Sequence, residues 1–426
     1  MLPDPTLPLP ASLMALLAAF QPLFTVPSFR TFCALAAGFL AQTGRRTVCG
    51  MLTGAGLSQV WRHDRAHQFF SRARWSVDDV GLAAAKLVVA LLVPAVVVRL
   101  PMINRPVAVP VLAKLVIKDT NSASRLWLAR RMARMIAGAL PGRAIRVVAD
   151  AAYAGKELKK LPPGISWTTR LRKDAALYDL PPERTGRRGR PRAKGARLPS
   201  LAKLADGVTF AHLTVTRYDK TATIQVGAIT CLWYSVFGSR PVQVVLIRDT
   251  SATGYYLALV TSDPGASPAQ VIERYAARWS IEVAIEESKQ VFGTEQARNR
   301  AARAVERTVP FQFACQAVAT AGHDPADVED HRVRAPWYTT KTRPSTADML
   351  AKLRRVLIAA RFRASYPGQP TPEEIHAIWL VLPTSLSDDQ AAPLHEHGTA
   401  AVDDHGADCS AVLADPDSAI YGRVKW

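Results

Sequence analysis

From Ser267 to Gly293 the chain can form little other than helix. Ser267-Pro268-Ala269-Gln270 has the form of a capping box with proline at the first helical position, and Gly293 marks the C-terminal stop. At about 100° per residue, Tyr275, Arg278, Glu282, Glu286 and Lys289 fall in one narrow sector. Ala277, Ile281, Ala284 and Val291 fall on the opposite side. The stretch therefore predicts one helix that packs by one face and presents a carboxylate flanked by cations and a phenol on the other. A carboxylate can hold a divalent metal, and arginine and lysine can hold phosphates. By periodicity alone this reads as a solvated face laced with i,i+4 pairs such as Arg278–Glu282.

The rest of the chain favours a polyanionic partner. Its net charge is +19, from 54 basic and 35 acidic residues among 426, and nucleic acid is the default partner of so basic a protein. The length predicts two or three domains at roughly 150 residues each. Cys33, Cys49, Cys231, Cys315 and Cys409 are scattered without a C-x-x-C pair. That argues against a disulfide framework or a structural zinc site and fits a reducing cytoplasm. The most apolar run, Leu87 to Val98, is broken by Pro94 and falls short of the ~20 residues a bilayer requires. No membrane association is expected.

Residues 1–85 read as a helical, basic, DNA-binding region, with helical spacing over Phe29–Leu40, a break at Gly44-Arg45-Arg46 and a new helix start at Ser76-Val77-Asp78-Asp79. Val96–Leu100 and Val107–Ile117 read as strands. Asn121–Leu140 reads as an amphipathic helix with Leu128, Met132, Met135 and Ala139 on one side. Ala144–Ala149 is a buried-strand run ending at Asp150, which alone reads as a cap or turn former. Residues 165–262 are strand-rich: Val208–Arg217 and Thr221–Ala228 form a hairpin, and Val242–Arg248 and Tyr255–Thr261 add strands. Within this segment, Arg184, Arg187, Arg188, Arg190, Arg192 and Lys194 crowd around a Gly-Arg-Pro-Arg core. That core looks like an AT-hook, which lays arginines in a narrow minor groove. Residues 301–380 return to helix, and 381–426 read as a disordered tail, with eight acids and no Lys or Arg over 384–420. His395, His397 and Cys409 in that tail are metal ligands on paper, with nothing rigid to hold them.

The spacing Y-x2-R-x3-E-x6-K of Tyr275, Arg278, Glu282 and Lys289 resembles the signature of the DDE insertion-sequence transposases, and all four positions match. Asp150-Ala-Ala-Tyr153-Ala-Gly155 resembles their second-aspartate motif, and Arg30 to Trp75 their N-terminal region. The resemblance implies an α/β chain: a ribonuclease-H-like core over 86–164 and 263–300, a β-strand insertion over 165–262 and an N-terminal helical domain. It implies Mg²⁺ (or Mn²⁺) held by Asp150 and Glu282 and by a first aspartate. It further implies double-stranded DNA, as transposon ends and target, contacted by Tyr275, Arg278, Lys289, Arg187, Arg188, Arg190 and Arg192. Trp279 is expected to pack at the helix base rather than to touch a nucleotide base. A homodimer on DNA and a cytoplasmic, nucleoid-associated location follow from the same resemblance.

The first acid is missing from its expected place. From Val80 through Lys118 there is no Asp or Glu, leaving Asp78, Asp79 and Asp119 as candidates. The family carries a longer segment where Val93-Pro94-Ala95-Val96 stands, so the chain reads as internally deleted there, with a shorter loss near Thr320-Ala321-Gly322. Two functions remain: a transposase, here impaired, or a degenerate relative that binds DNA without cutting it.

Overall fold

The computed structural model describes residues 8–92, 97–99, 106–116, 125–183, 192–217, 220–248, 254–322 and 344–365. The chain divides into two compact units: Met1–Val93, Val109–Val111 and Ile285–Trp426 form one, Pro94–Ala108 and Leu112–Ala284 the other.

The first unit is helical. It contains α1 (Ala11–Ala18), α2 (Val26–Ala41), α3 (Val48–Gly54), α4 (His63–Ser71) and α5 (Val77–Leu92). Helix α5 begins where the sequence places it, and α3 follows the break at Gly44-Arg45-Arg46, with Thr47 Oγ1 accepting the Gly50 amide at its head. Every residue from Thr31 to Ala41 is buried. Two glycines permit that density: a Cβ on Gly38 would lie 1.8 Å from the Met51 carbonyl oxygen, and one on Gly54 2.2 Å from that of Gly38. The two helix backbones therefore touch, which any side chain would prevent. Aromatic rings fill the remaining space, among them Phe32, Phe69 and Phe70 around Phe311, whose centroid stands 5.2 Å from that of Phe70, with Trp75 stacked on Phe69.

The second unit holds β1 (Val97–Arg99) and β2 (Pro106–Ala108), paired antiparallel. The strand expected over Val107–Ile117 ends at Ala108, where Pro110 withholds an amide from any ladder. Next come α6 (Arg125–Ala139), β3 (Ile145–Ala149), β4 (Ile165–Arg170), α7 (Leu201–Gly207), β5 (Ala211–Arg217), β6 (Lys220–Cys231), α8 (Tyr234–Phe237), β7 (Val242–Arg248), β8 (Leu257–Thr261) and α9 (Pro268–Ala277). The strands form one mixed sheet in the order β3-β4-β8-β7-β6-β5, parallel only between β3 and β4. Strand β4 lies at the start of the expected insertion, yet it pairs with β3, Ile165 opposite Ile145. The sheet thus runs unbroken from β3 through β5.

Both sheet faces are covered. Val244 and Leu246 point to a core with Trp167, Val260 and Phe237, while Val245 and Ile247 point to one with Leu259, Val271 and Ile272. This period-2 alternation sets α6 and α9 on opposite faces. Leu126, Ala129, Ala133 and Ala137 carry α6 onto the sheet, and Arg130 pairs with Glu157 at 3.2 Å. The bulkier row of Leu128, Met132, Met135 and Ala139 is half-buried on the other side of the helix. Small residues let α6 approach the strands closely, so size rather than hydrophobicity selects the packed face.

The chain ends its described course with α10 (Ser280–Gln290), α11 (Ala302–Ala321) and α12 (Thr346–Ser365). The division between the units falls inside α10, after Ala284. In the first unit, arginines from α11, α12 and the α2–α3 loop cap helix ends: Arg46 Nε donates to Phe39 O (3.2 Å), Arg354 Nε to Leu40 O (3.0 Å) and Arg361 to Gly54 O (2.6 Å). Arg307 donates to the carbonyls of Phe70, Ala73 and Trp75 at 3.2, 2.8 and 2.6 Å. Cations there satisfy orphan carbonyls and oppose the helix dipole.

Candidate functional site

Asp150 follows directly on β3. Its Oδ1 accepts the Ala152 amide at 2.8 Å and so caps the 3-10 turn Ala151–Tyr153. Its carbonyl accepts the Thr169 hydroxyl at 2.9 Å, fixing the strand end against β4. The residue is a turn cap and a positioned acid at once.

The stretch expected to be one helix is two. The capping box at Ser267 and Gln270 forms as read from the sequence. Helix α9 then ends at Ala277 and α10 begins at Ser280. Across the joint the ladder tightens to i→i−3: Arg278 N to Tyr275 O, Trp279 N to Ala276 O and Glu282 N to Trp279 O, at 3.1, 3.3 and 3.1 Å. The Ser280 hydroxyl takes the Ala277 carbonyl at 2.7 Å, a local bond that competes with the regular ladder. The tighter winding moves Trp279 outward. Instead of packing at the helix base, its side chain is 48 % exposed.

Arg278 organises the cluster. Its Nη1 donates to Glu282 Oε1 at 2.7 Å, with both side chains less than one-fifth exposed, and its guanidinium stands 5.7 Å from the Tyr275 ring centroid. Burial lowers the Arg278 pKa, but the charge and hydrogen bond of Glu282, then Tyr275 and Asp150, more than reverse that and leave it raised. One guanidinium thus lies in the field of both predicted acids. Its Nε is buried without a hydrogen-bond partner, a donor left over for an oxygen ligand. Tyr153 has its pKa raised by burial, against Arg125 and with Asp150. Arg125 was not singled out from the sequence; nothing in its neighbourhood there marks it, since α6 brings it in from a distance.

The remaining expected site residues are placed differently. Lys289 falls in the first unit and pairs with Glu295 at 2.6 Å. Arg192 is exposed, and Arg187, Arg188 and Arg190 lie outside the described residues. On either side of that segment, Gly195 N donates to Asp179 O (3.0 Å) and Asp179 N to Ala196 O (2.9 Å). A Cβ on Gly195 would stand 2.5 Å from Leu180 O, and Lys194 Nζ lies 3.6 Å from the Tyr178 ring centroid. Asp78 and Asp79 occupy the first turn of α5, in the first unit, and Asp119 lies outside the described residues.

These residues do not fit a two-ion centre as they stand. Glu282 is engaged by Arg278, one oxygen of Asp150 by Ala152, and among the described residues no group of three His, Cys, Asp or Glu is gathered as a metal site. Among the described residues no helix is long and apolar enough to cross a membrane.

An acid at a strand end and an acid on a helix, with a guanidinium in the field of both, suit the handling of a phosphodiester, and the comparison with known families points the same way. Residues 112–315 match the family described as the transposase DDE domain, which supports a DDE-superfamily transposase. No curated protein matches the chain.

Proposed function

We propose that this protein is the transposase of a bacterial insertion sequence, built for metal-dependent cleavage and strand transfer at transposon ends, and that this copy is catalytically impaired. Asp150 and Glu282 take the second and third acid positions. Tyr275, Arg278 and Lys289 hold phosphates of the transposon end, and Arg187, Arg188, Arg190 and Arg192 contact DNA. The observation that carries the reading is Arg278, bonded to Glu282 and within the field of Asp150. With DNA bound, a phosphate can draw the guanidinium from Glu282 and free the carboxylate. Mg²⁺ or Mn²⁺, when bound, would polarise the phosphodiester and activate the attacking oxygen. Two divalent ions bring four positive charges, and two carboxylates leave them under-neutralised, which is the physical ground for impairment.

A second reading, a DNA-binding remnant without nuclease activity, is favoured by one observation: among the described residues β3 pairs on one side only, with β4, as loss of a first strand would leave it. Both readings place the protein in the cytoplasm on DNA, as a homodimer. The test is a cleavage and joining assay on transposon-end DNA with Mg²⁺, beside an intact sister copy carrying the longer segment. The expected result is cutting at least a hundredfold slower here. Comparable cutting, abolished by Asp79→Ala or Asp119→Ala, would show that the first acid is present and the enzyme whole.

A further inference from the structure

A cleft of about 470 Å³ opens in the second unit, at the end of the sheet away from Asp150. Arg146 near the start of β3, Arg240 ahead of β7, Asp263 beyond β8 and the Pro162-Pro163 turn that leads into β4 line it. The transposase reading assigns nothing to these residues.

The charges lining the cleft do not balance. Asp263 is its one carboxylate among the described residues, and Arg274 of α9 already holds that group at 2.8 Å. Arg146 Nε reaches the same oxygen only at 3.7 Å, and its side chain is half exposed. Arg240 donates Nη2 to the Leu161 carbonyl at 2.8 Å. That bond fixes the guanidinium without neutralising it and leaves further N–H donors to give. Three guanidiniums thus stand against one carboxylate. The ligand such a site selects is an anion with several acceptor oxygens, and guanidiniums favour phosphate.

The placement of the cleft suits DNA better than a free small anion. Ile145, Val147 and Ala149 of β3 pack into the core beneath α6, so by strand alternation Arg146, Val148 and Asp150 face the other way. The contact of Arg146 with Asp263, itself bonded to α9, agrees. At about 3.3 Å per residue, Arg146 and Asp150 stand about 13 Å apart along the strand. A duplex advances about 3.4 Å per base pair, so the same span is roughly four base pairs. DNA running along β3 meets both ends of the strand.

We propose that Arg146 and Arg240 hold a backbone phosphate of bound DNA in this cleft, roughly four base pairs from the phosphodiester at Asp150, with Pro162 and Pro163 against the adjoining sugar. The source of that phosphate rests on the transposase reading; the excess of positive charge in the cleft does not.

The test is phosphate-ethylation interference on transposon-end duplex, with the full chain and without metal. Arg146→Gln removes a half-exposed, loosely paired side chain, so its melting temperature should match the wild type. It should erase one interference position, roughly four base pairs from the position that Arg278→Ala erases. It should also weaken duplex binding roughly tenfold and flatten the slope of log affinity against log salt by about 0.9. Arg240→Lys, which keeps the charge, should weaken binding less than Arg240→Gln. An interference pattern and salt slope that both Arg146→Gln and Arg240→Gln leave unchanged would overturn the site. So would a melting temperature that thymidine 5′-monophosphate or inorganic phosphate raises in the wild type and not in Arg146→Gln, with duplex binding equal in the two; the cleft would then serve a free phosphate compound. A wild type that binds no duplex at all would sink the transposase reading and this site together.

Discussion

At the scale of single residues, Arg278 meets Glu282 at 2.7 Å, the i,i+4 contact that their spacing predicts, while the Trp279 side chain, expected at the helix base, faces solvent. Trp279 escapes such a reading because a helical wheel assumes about 100° per residue, whereas i→i−3 bonding winds closer to 120°. That small excess swings the indole from the packed side to solvent. An exposed indole next in sequence to Arg278 offers a stacking surface for a base, worth about 1–3 kcal/mol on truncation. Trp279→Ala should therefore leave the melting temperature unchanged, since surface substitutions usually shift stability by no more than about 0.5 kcal/mol. It should weaken binding to transposon-end DNA with an unpaired terminal base roughly ten- to a hundredfold, and binding to fully paired DNA much less. Equal loss on both DNAs in a fluorescence-anisotropy titration would mean that the indole acts only through the duplex backbone.

Among elements, strands and helix starts were the most legible, because alternation and caps are local. Val242–Arg248 is a strand to the residue, and the Ser267 box forms with both its bonds. What the sequence hid is which neighbour each element finds. Ala144–Ala149 reads as a buried run, yet in β3 no residue is fully buried and Arg146 is exposed. The cause is pairing: among the described residues β4 is its one partner. Ile145 N donates to Gly164 O at 3.0 Å, toward β4, so by strand alternation Val147 and Ala149 donate the same way and Arg146 and Val148 donate outward. Hydrogen exchange should thus divide the strand, with Val147 and Ala149 slow and Arg146 and Val148 fast. Uniform protection would mean that a further strand covers this edge, and the argument for a lost first strand would fall with it.

For the whole molecule, a net charge of +19 overstates the surface offered to DNA. Arg46, Arg307, Arg354 and Arg361 are spent on helix ends inside the first unit. Burial, with Arg354 adjacent, pushes Arg46 down to about 9, and burial alone takes Arg354 to about 10, values that mark guanidiniums serving the fold. Composition cannot tell these from exposed arginines, because the distinction rests on partners, for Arg307, Arg354 and Arg361 more than two hundred residues away. The clustered arginines are legible in a way these are not: they follow one another in the sequence between Asp179 and Gly195, whose backbones are bonded to each other. Replacing Arg187, Arg188, Arg190 and Arg192 with alanine should leave stability nearly unchanged and weaken DNA binding. The slope of log affinity against log salt should flatten by about 0.9 for each phosphate that the variant no longer neutralises. This binding should persist without Mg²⁺, because it draws on counterion release and not on the acids. The measurement is a salt series on duplex DNA, wild type against the four-fold variant. An unchanged slope would show that the loop is only a solvated run of charge, and the DNA-holding surface would then have to lie elsewhere, with the N-terminal helices next in line.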